Sequence, residues 1–273
     1  MLPIQGCAAD SIFVYDPAQL HVSVFSPAGR FARLFDVRKW GTDGLPPYDF
    51  WCHPSGVAAF IHRSSQPPAG EGPVRPSVQI SILIKDSSFA LATVPATERY
   101  YRSGTVFPRH LGMETTVVPN AGIVYVGTGD GYSIARYSVR GGPLAPIQEV
   151  RPAVAVTSDQ IQEYVRQFIA NTPSGVNTQG YELWFQGIEF PKYYPAYRGL
   201  LVDDMDDLWV EEYPIPGVSQ GVWQVFSPAG LKLATVALPA SFRLAQAGKD
   251  FVLGVYRDED DVDYVRMYQL RRN

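Results

Sequence analysis

A block of six residues, Val24-Phe25-Ser26-Pro27-Ala28-Gly29, returns letter for letter as Val225-Phe226-Ser227-Pro228-Ala229-Gly230. Each copy follows an apolar, aromatic-rich run, Ile12-Phe13-Val14-Tyr15 in the first and Leu208-Trp209-Val210 in the second. Each is followed by another such run, residues 31–37 and 231–238. The unit reads as strand, variable turn, strand, Pro/Gly turn, strand. A unit that repeats in this way cannot bury both of its faces alone and does so by stacking on copies of itself. The repeat constrains architecture strongly and says little about a substrate.

Three weaker copies fill the intervals. Gly122-Ile123-Val124-Tyr125-Val126 leads into residues 134–139, a Gly141-Gly142-Pro143 turn and residues 144–150. Val57-Ala58-Ala59-Phe60-Ile61 leads, past an insertion, to residues 78–84, a Lys85-Asp86-Ser87-Ser88 turn and residues 89–94. Phe251-Val252-Leu253-Gly254-Val255-Tyr256 is followed by an acidic turn and residues 264–270. Where no insertion intervenes, equivalent positions recur about every 45 residues, the length of a four-stranded propeller blade. The fold class expected is therefore all-β, a β-propeller of four-stranded antiparallel blades, five units being visible. Inner strands are expected near residues 5–9, 50–53, 115–118, 199–203 and 242–247. Phe13, Tyr125, Trp209 and Val255 are expected at equivalent second-strand positions between blades.

Two insertions interrupt the pattern. Residues 64–77 form a Pro/Gly-rich loop that has no place inside a sheet, because proline donates no ladder hydrogen bond. Residues 151–190 contain one helix, with Thr157 as cap, Gln160 completing a capping box, and Ile161, Tyr164, Val165, Phe168 and Ile169 at helical spacing. It stops at Asn171-Thr172-Pro173-Ser174-Gly175. With 46% hydrophobic residues, 24 Gly and 23 Pro among 273 residues, the composition suits many short strands, and residues 1–273 read as one domain. No stretch reaches the apolar length of a membrane helix. A formal net charge of −4 offers no basic face, so nucleic acid is not an expected partner. Cys7 and Cys52 fall on inner strands of neighbouring units and read as small buried residues rather than a disulfide, since such strands usually lie too far apart to be bridged.

The chain resembles the six-bladed β-propellers of the NHL and TolB-like bacterial type. The residues that carry the match are Tyr194-Pro195-Ala196-Tyr197, Leu200-Leu201-Val202-Asp203, Leu208-Trp209-Val210, Trp223-Gln224-Val225-Phe226 with Pro228 and Gly230, residues 252–258, and Val265-Arg266-Met267-Tyr268. The departure is the blade count, five units where the family has six, which reads as one N-terminal blade lacking. The last unit also lacks a fourth strand. Either Met1 to Ile4 reach round to complete that unit in a closed five-bladed ring, or, the reading favoured, the ring is open, with a strand edge free to associate with another chain. The resemblance implies a periplasmic or secreted location for intact relatives, although no signal peptide is visible. It implies no single activity, because this architecture hosts hydrolases, lactonases, binding modules and scaffolds.

Chemistry is expected at the mouth of the central channel. There a second repeat appears: Phe107-Pro108-Arg109-His110 and Phe190-Pro191-Lys192-Tyr193 each place a basic residue and then a ring. With Tyr194 and Arg198 close by, the candidate ligand-binding residues are Arg109, His110, Lys192, Tyr193, Tyr194 and Arg198, a cationic, aromatic-lined pocket for a small anionic or sugar-like ligand, or a surface for a protein partner. There is no Gly-x-Ser-x-Gly elbow, His-Glu-x-x-His or Walker loop, and no cofactor or metal is implied. Glu98, Asp203, Asp206, Asp258 and Asp260 offer oxygen ligands of the kind calcium takes. A hydrolase or lactonase working in the channel is the alternative to a binding or scaffold module.

Overall fold

In a computed structural model of the chain, residues 4–6, 11–40, 47–62, 70–84, 87–173, 175–258, 260 and 262–271 are described. The repeated hexamer is a turn used twice. Gly29 N donates to Ser26 O at 2.9 Å and Gly230 N to Ser227 O at 2.8 Å, while the serine hydroxyls accept Arg30 N and Leu231 N at 3.3 and 3.2 Å. Both glycines are left-handed, with φ of +73° and +87°, a conformation that a Cβ disfavours. The serine and the glycine are thus dictated by one turn geometry, which is why the hexamer recurs unchanged.

The first blade is β1 (Ile4–Gly6), β2 (Ile12–Asp16), β3 (His21–Phe25) and β4 (Phe31–Asp36), in sequential antiparallel order. The second is β5 (Pro47–Cys52), β6 (Val57–His62), β8 (Ser77–Ile84) and β9 (Ser87–Pro95). Between β6 and β8 the chain makes β7 (Gly72–Val74), which pairs with β10 (Arg99–Arg102), itself paired with β11 (Thr105–Pro108). The third blade is β12 (Thr116–Pro119), β13 (Ile123–Gly127), β14 (Ser133–Ser138) and β15 (Pro143–Gln148). Helices α1 (Ser158–Ala170) and α2 (Gln179–Gln186) follow. The fourth blade is β16 (Tyr197–Val202), β17 (Leu208–Glu212), β18 (Gln220–Phe226) and β19 (Lys232–Pro239), and the fifth is β20 (Phe242–Ala247), β21 (Phe251–Arg257) and β22 (Asp263–Gln269). The inner strands β1, β5, β12 and β16 lie against one another in turn. This is an all-β propeller architecture.

Three details depart from the sequence reading. Part of the 64–77 insertion is a strand, and Pro73 is tolerated because β7 is an edge. α2 has no side-chain cap bond, so its start carries no signal in the sequence, and its aromatic packing holds it. Cys52 is disulfide-bonded, contrary to the expected unpaired thiol; Cys7 lies outside the described residues.

Stability resides between blades. Tyr15 and Phe60 lie in the core of the first and second blades, Ala59 and Val124 in that of the second and third, Tyr125 and Leu208 in that of the third and fourth, and Trp209 and Val252 in that of the fourth and fifth. A fully buried side chain of this size contributes about 2 to 3 kcal/mol. Among the described residues no such core joins the fifth blade to the first.

Burial along the second strand of each blade says the same. All six residues of β6 are buried and four of the five in β13, so both faces of those sheets are covered. β2 and β21 bury alternate residues at most. On the first blade the uncovered face carries Ile12, Val14, Phe25, Phe31 and Leu34, the last two 60% and 50% exposed. On the fifth it carries Leu253, Val255, Val265 and Met267. Val255 does point forward, as Phe13, Tyr125 and Trp209 do, but among the described residues no next blade covers it; its equivalence holds in orientation and fails in burial.

Candidate functional site

In a propeller of meandering blades, every connection from an outer strand to the next inner strand emerges at the same end of the channel. Here these connections are long after the second and third blades, and they build one cleft of about 910 Å³. Residues 108–112 and Glu114 line one side, Glu163, Tyr164 and Gln167 of α1 with its cap Asn171 another, and Arg198 with the loop 213–219 and residues 240–241 the rest.

Glu98 organises the first side. Its Oε1 accepts Arg109 Nη1 at 3.0 Å, its Oε2 accepts Met113 N at 2.9 Å, and its backbone N–H donates to Met113 O at 2.8 Å. Both side chains of the Arg109–Glu98 pair are only 12% exposed. The loop closes so tightly that a Cβ on Gly112 would stand 2.9 Å from Arg109 O and from Glu98 Oε2. Leu111 takes a left-handed φ of +58°, a strained conformation of the kind that surrounding structure must impose.

Arg198 reaches the cleft through a bulge. Tyr197 pairs with Glu212 and Gly199 with Glu211, leaving Arg198 as the extra residue of β16, and a bulge of this kind re-aims a side chain. The guanidinium binds Glu211 in a bidentate pair at 2.5 and 3.0 Å. Glu114 lines the same cleft, with no carboxylate-binding partner of its own among the described hydrogen bonds. Protein on most sides raises its carboxyl above the ordinary range, with Arg198 and Arg99 opposing that shift.

His110 belongs to an aromatic cluster rather than to open solvent. Its Nδ1 is 2.7 Å from Tyr164 Oη, and its ring lies 4.8 Å from Phe185 and 5.3 Å from Phe168. Phe190 stacks on Phe185 at 6.1 Å and Phe107 meets Trp184 at 4.3 Å, so the two Phe-Pro copies clamp α2 from both sides. α1 buries no residue completely, and these rings attach it. The capping box is formed, Thr157 Oγ1 accepting Gln160 N at 3.3 Å and Gln160 Oε1 accepting Thr157 N at 3.0 Å.

Burial lowers the His110 pKa below its ordinary value, and it lowers that of His53 too. A histidine whose folded pKa lies below the unfolded one contributes stability above the unfolded value, about 6.5, and loses it as pH falls. Thermal stability should therefore drop between pH 7.5 and 5, and His110→Phe, which keeps the ring, should flatten part of that drop. Melting curves of both proteins at the two pH values check this; identical pH dependence would contradict it.

Five of the six expected site residues divide between two pockets. Arg109, His110 and Arg198 line the one cleft. Tyr193 and Tyr194 line an adjoining pocket of about 440 Å³ with Arg151, whose guanidinium stacks 3.7 Å above Tyr132. Tyr213 borders both pockets and contacts Tyr194 at 5.4 Å. Lys192 is exposed and lines neither. The acidic residues expected to offer calcium ligands do not converge: Glu98 holds Arg109, Asp258 caps its own turn, and no group of three or more His, Cys, Asp or Glu gathers among the described residues.

Missed by sequence reasoning were Glu211, Glu114 and Tyr213, which stand in no motif. Also missed was a turn device at the other end of the channel. Asp203 Oδ1 accepts Met205 N and Asp207 N at 2.9 and 3.0 Å, Asn120 Oδ1 accepts Gly122 N and Ile123 N at 2.8 and 2.6 Å, and His53 Nδ1 accepts Ser55 N at 3.2 Å. A polar acceptor after three of the inner strands, β5, β12 and β16, was the available signal, hidden because three residue types share the task.

No family model matches the chain, and no curated protein matches it. Solved structures do. A streptogramin B lyase is 10% identical, with 100% of this chain and 83% of that one covered, at a TM-score of 0.41. A putative gluconolactonase is 14% identical, covering 98% and 76%, at 0.44. A member of the DUF4221 family from Bacteroides vulgatus is 7% identical, covering 95% and 76%, at 0.45. Likeness at this level says nothing about activity. By its own sheets and the cores between them, the chain is an all-β protein of β-propeller architecture.

Proposed function

We propose that the protein is a binding module whose cleft at the channel mouth takes a small, hydroxyl-rich, sugar-like ligand. The observation that carries this reading is that both guanidiniums of the cleft are already matched by carboxylates, Arg109 by Glu98 and Arg198 by Glu211. Paired in this way they bring no net positive charge, and Glu114 adds a negative one, so an anion is disfavoured. What the pairs do present is a set of fixed donors and acceptors, while Tyr164 and Tyr213 supply ring faces and hydroxyls. A few placed polar groups among rings is how small-molecule sites fix orientation, and hydrogen bonds to charged groups are the stronger ones.

Burial and the neighbouring carboxylate of Glu114 push the Tyr164 phenol up to about 12 and that of Tyr213 upward too, so both remain hydrogen-bond donors at neutral pH. The disulfide at Cys52 supports an oxidising compartment, periplasmic or extracellular. No helix of the described residues is long and apolar enough to cross a membrane.

Calorimetric titration with a panel of neutral mono- and disaccharides, and with their phosphates and uronic acids, tests the reading. The expected result is binding of a neutral sugar that Tyr213→Ala and Glu114→Ala each weaken by about tenfold, the worth of one good contact. If the charged sugars bind more tightly than the neutral ones, or if binding ignores both substitutions, the reading fails.

A further inference from the structure

Among the described residues the fifth blade has three strands where the other four have four, and β22 is the edge of that sheet. It is seven residues long and bears two exposed apolar side chains, Val265 and Met267, at 77% and 68%. Beside its end runs a groove of about 480 Å³ between β19 and Leu270, in which Leu233 and Trp209 take part. An edge of this kind, with unpaired backbone groups and no proline, is a template for another strand unless something blunts it. Among the described residues the one charge within the strand is Arg266, whose guanidinium is held 3.7 Å over the Tyr256 ring on the face toward the fourth blade; the other charges lie at its ends.

Those end charges say what pairs with it. The segment is acidic up to the first residue of β22, at Asp258, Asp260 and Asp263, and basic just after the strand, at Arg271. We infer that β22 pairs antiparallel with β22 of a second copy about a two-fold axis at Met267, joining two fifth blades into one six-stranded sheet. In that register Asp263 faces Arg271 of the second copy twice over, Arg266 faces Tyr268, and Met267 faces Met267. Every cross-strand pair is then complementary or neutral, and the two most exposed apolar side chains of the strand gain neighbours. The present partner of Asp263, Arg257, forms a solvated pair with both side chains nearly half exposed, so Asp263 can answer a second cation at small cost. An isologous contact of this kind closes at two chains and does not propagate.

Sedimentation equilibrium of the full chain, from about 1 to 200 μM at neutral pH, is the test. The expected species at the upper end is twice the 30.2 kDa monomer. Arg271→Asp and Asp263→Arg should each weaken the dimer on the order of tenfold, because a like-charged pair replaces an opposite one at two symmetric sites. The double exchange should restore it, since the charges are complementary again. Met267→Pro, lacking the N–H and intruding at the axis, should be monomeric with an unchanged far-ultraviolet spectrum. A folded protein that stays monomeric throughout would overturn the inference. So would a dimer that tolerates both Met267→Pro and Arg271→Asp.

Discussion

Trp209→Ala should lower the stability of the protein by about 3 to 5 kcal/mol. The side chain is 1% exposed and sits in the core shared by the fourth and fifth blades. Its Nε1 donates to Asp203 Oδ2 at 2.9 Å, so the substitution opens a cavity and also removes a partner from a buried carboxylate that organises the turn before β17. Both losses act in the same direction. Urea denaturation reads the effect as a lower midpoint with an unchanged slope. Val255→Ala is the internal comparison. It sits on a strand of the same rank and points the same way, but with no blade beyond it the expected loss is under about 1 kcal/mol. Equal losses at the two positions would mean that the fifth blade is covered after all.

Glu98→Ala should cost about 3 kcal/mol and abolish the cleft as a binding site. Truncating one member of a largely buried ion pair leaves the other charge without compensation, which is worth more than the pair itself contributes. Here the stranded group would be Arg109, whose Nε already has no partner. The same carboxylate also holds Met113 N, so the loop that carries Arg109 and His110 loses its anchor. Glu98→Gln should lie between the two, because a neutral amide can serve one of the two donors. Denaturation together with sugar titration checks the pair of effects: a variant of wild-type stability would show that the loop is held by something other than Glu98.

How far the chain announced this arrangement differs between fold and site. The blades were legible because a sheet and a tight turn impose local demands: an apolar, aromatic-rich run in β2, a serine and a left-handed glycine in the turn that recurs at Gly29 and Gly230. Helix α1 was legible for the same reason, its capping box lying within four consecutive residues. β7 was not, because whether a proline-bearing segment makes a strand depends on whether it lies at an edge, and that depends on β10, which is distant in sequence.

The site was legible only as a list of side chains near one end of the channel. Basic residues beside rings picked out Arg109, His110 and Arg198, which do share a cleft. Lys192, chosen on the same pattern, does not join them. The local sequence of the two Phe-Pro segments is alike, but α2 lies between them, and its position is set by Phe185 and Trp184 finding partners across the fold. The sign of the cleft was equally invisible. Glu98 stands eleven residues from Arg109, and Glu211 thirteen from Arg198, and no short spacing marks either pair.

The sequence by itself determined the strands of the blades, their turns and the number of repeated units, because each follows from hydrogen bonding and burial within a few dozen residues. Only the tertiary structure decided that the first and fifth blades each keep an apolar face uncovered, that a bulge turns Arg198 into the mouth, and that the cleft's cations are matched by carboxylates. Those outcomes depend on which surfaces meet. Coulomb energy and burial are functions of distance in space, and distance in space is what a list of residues leaves open.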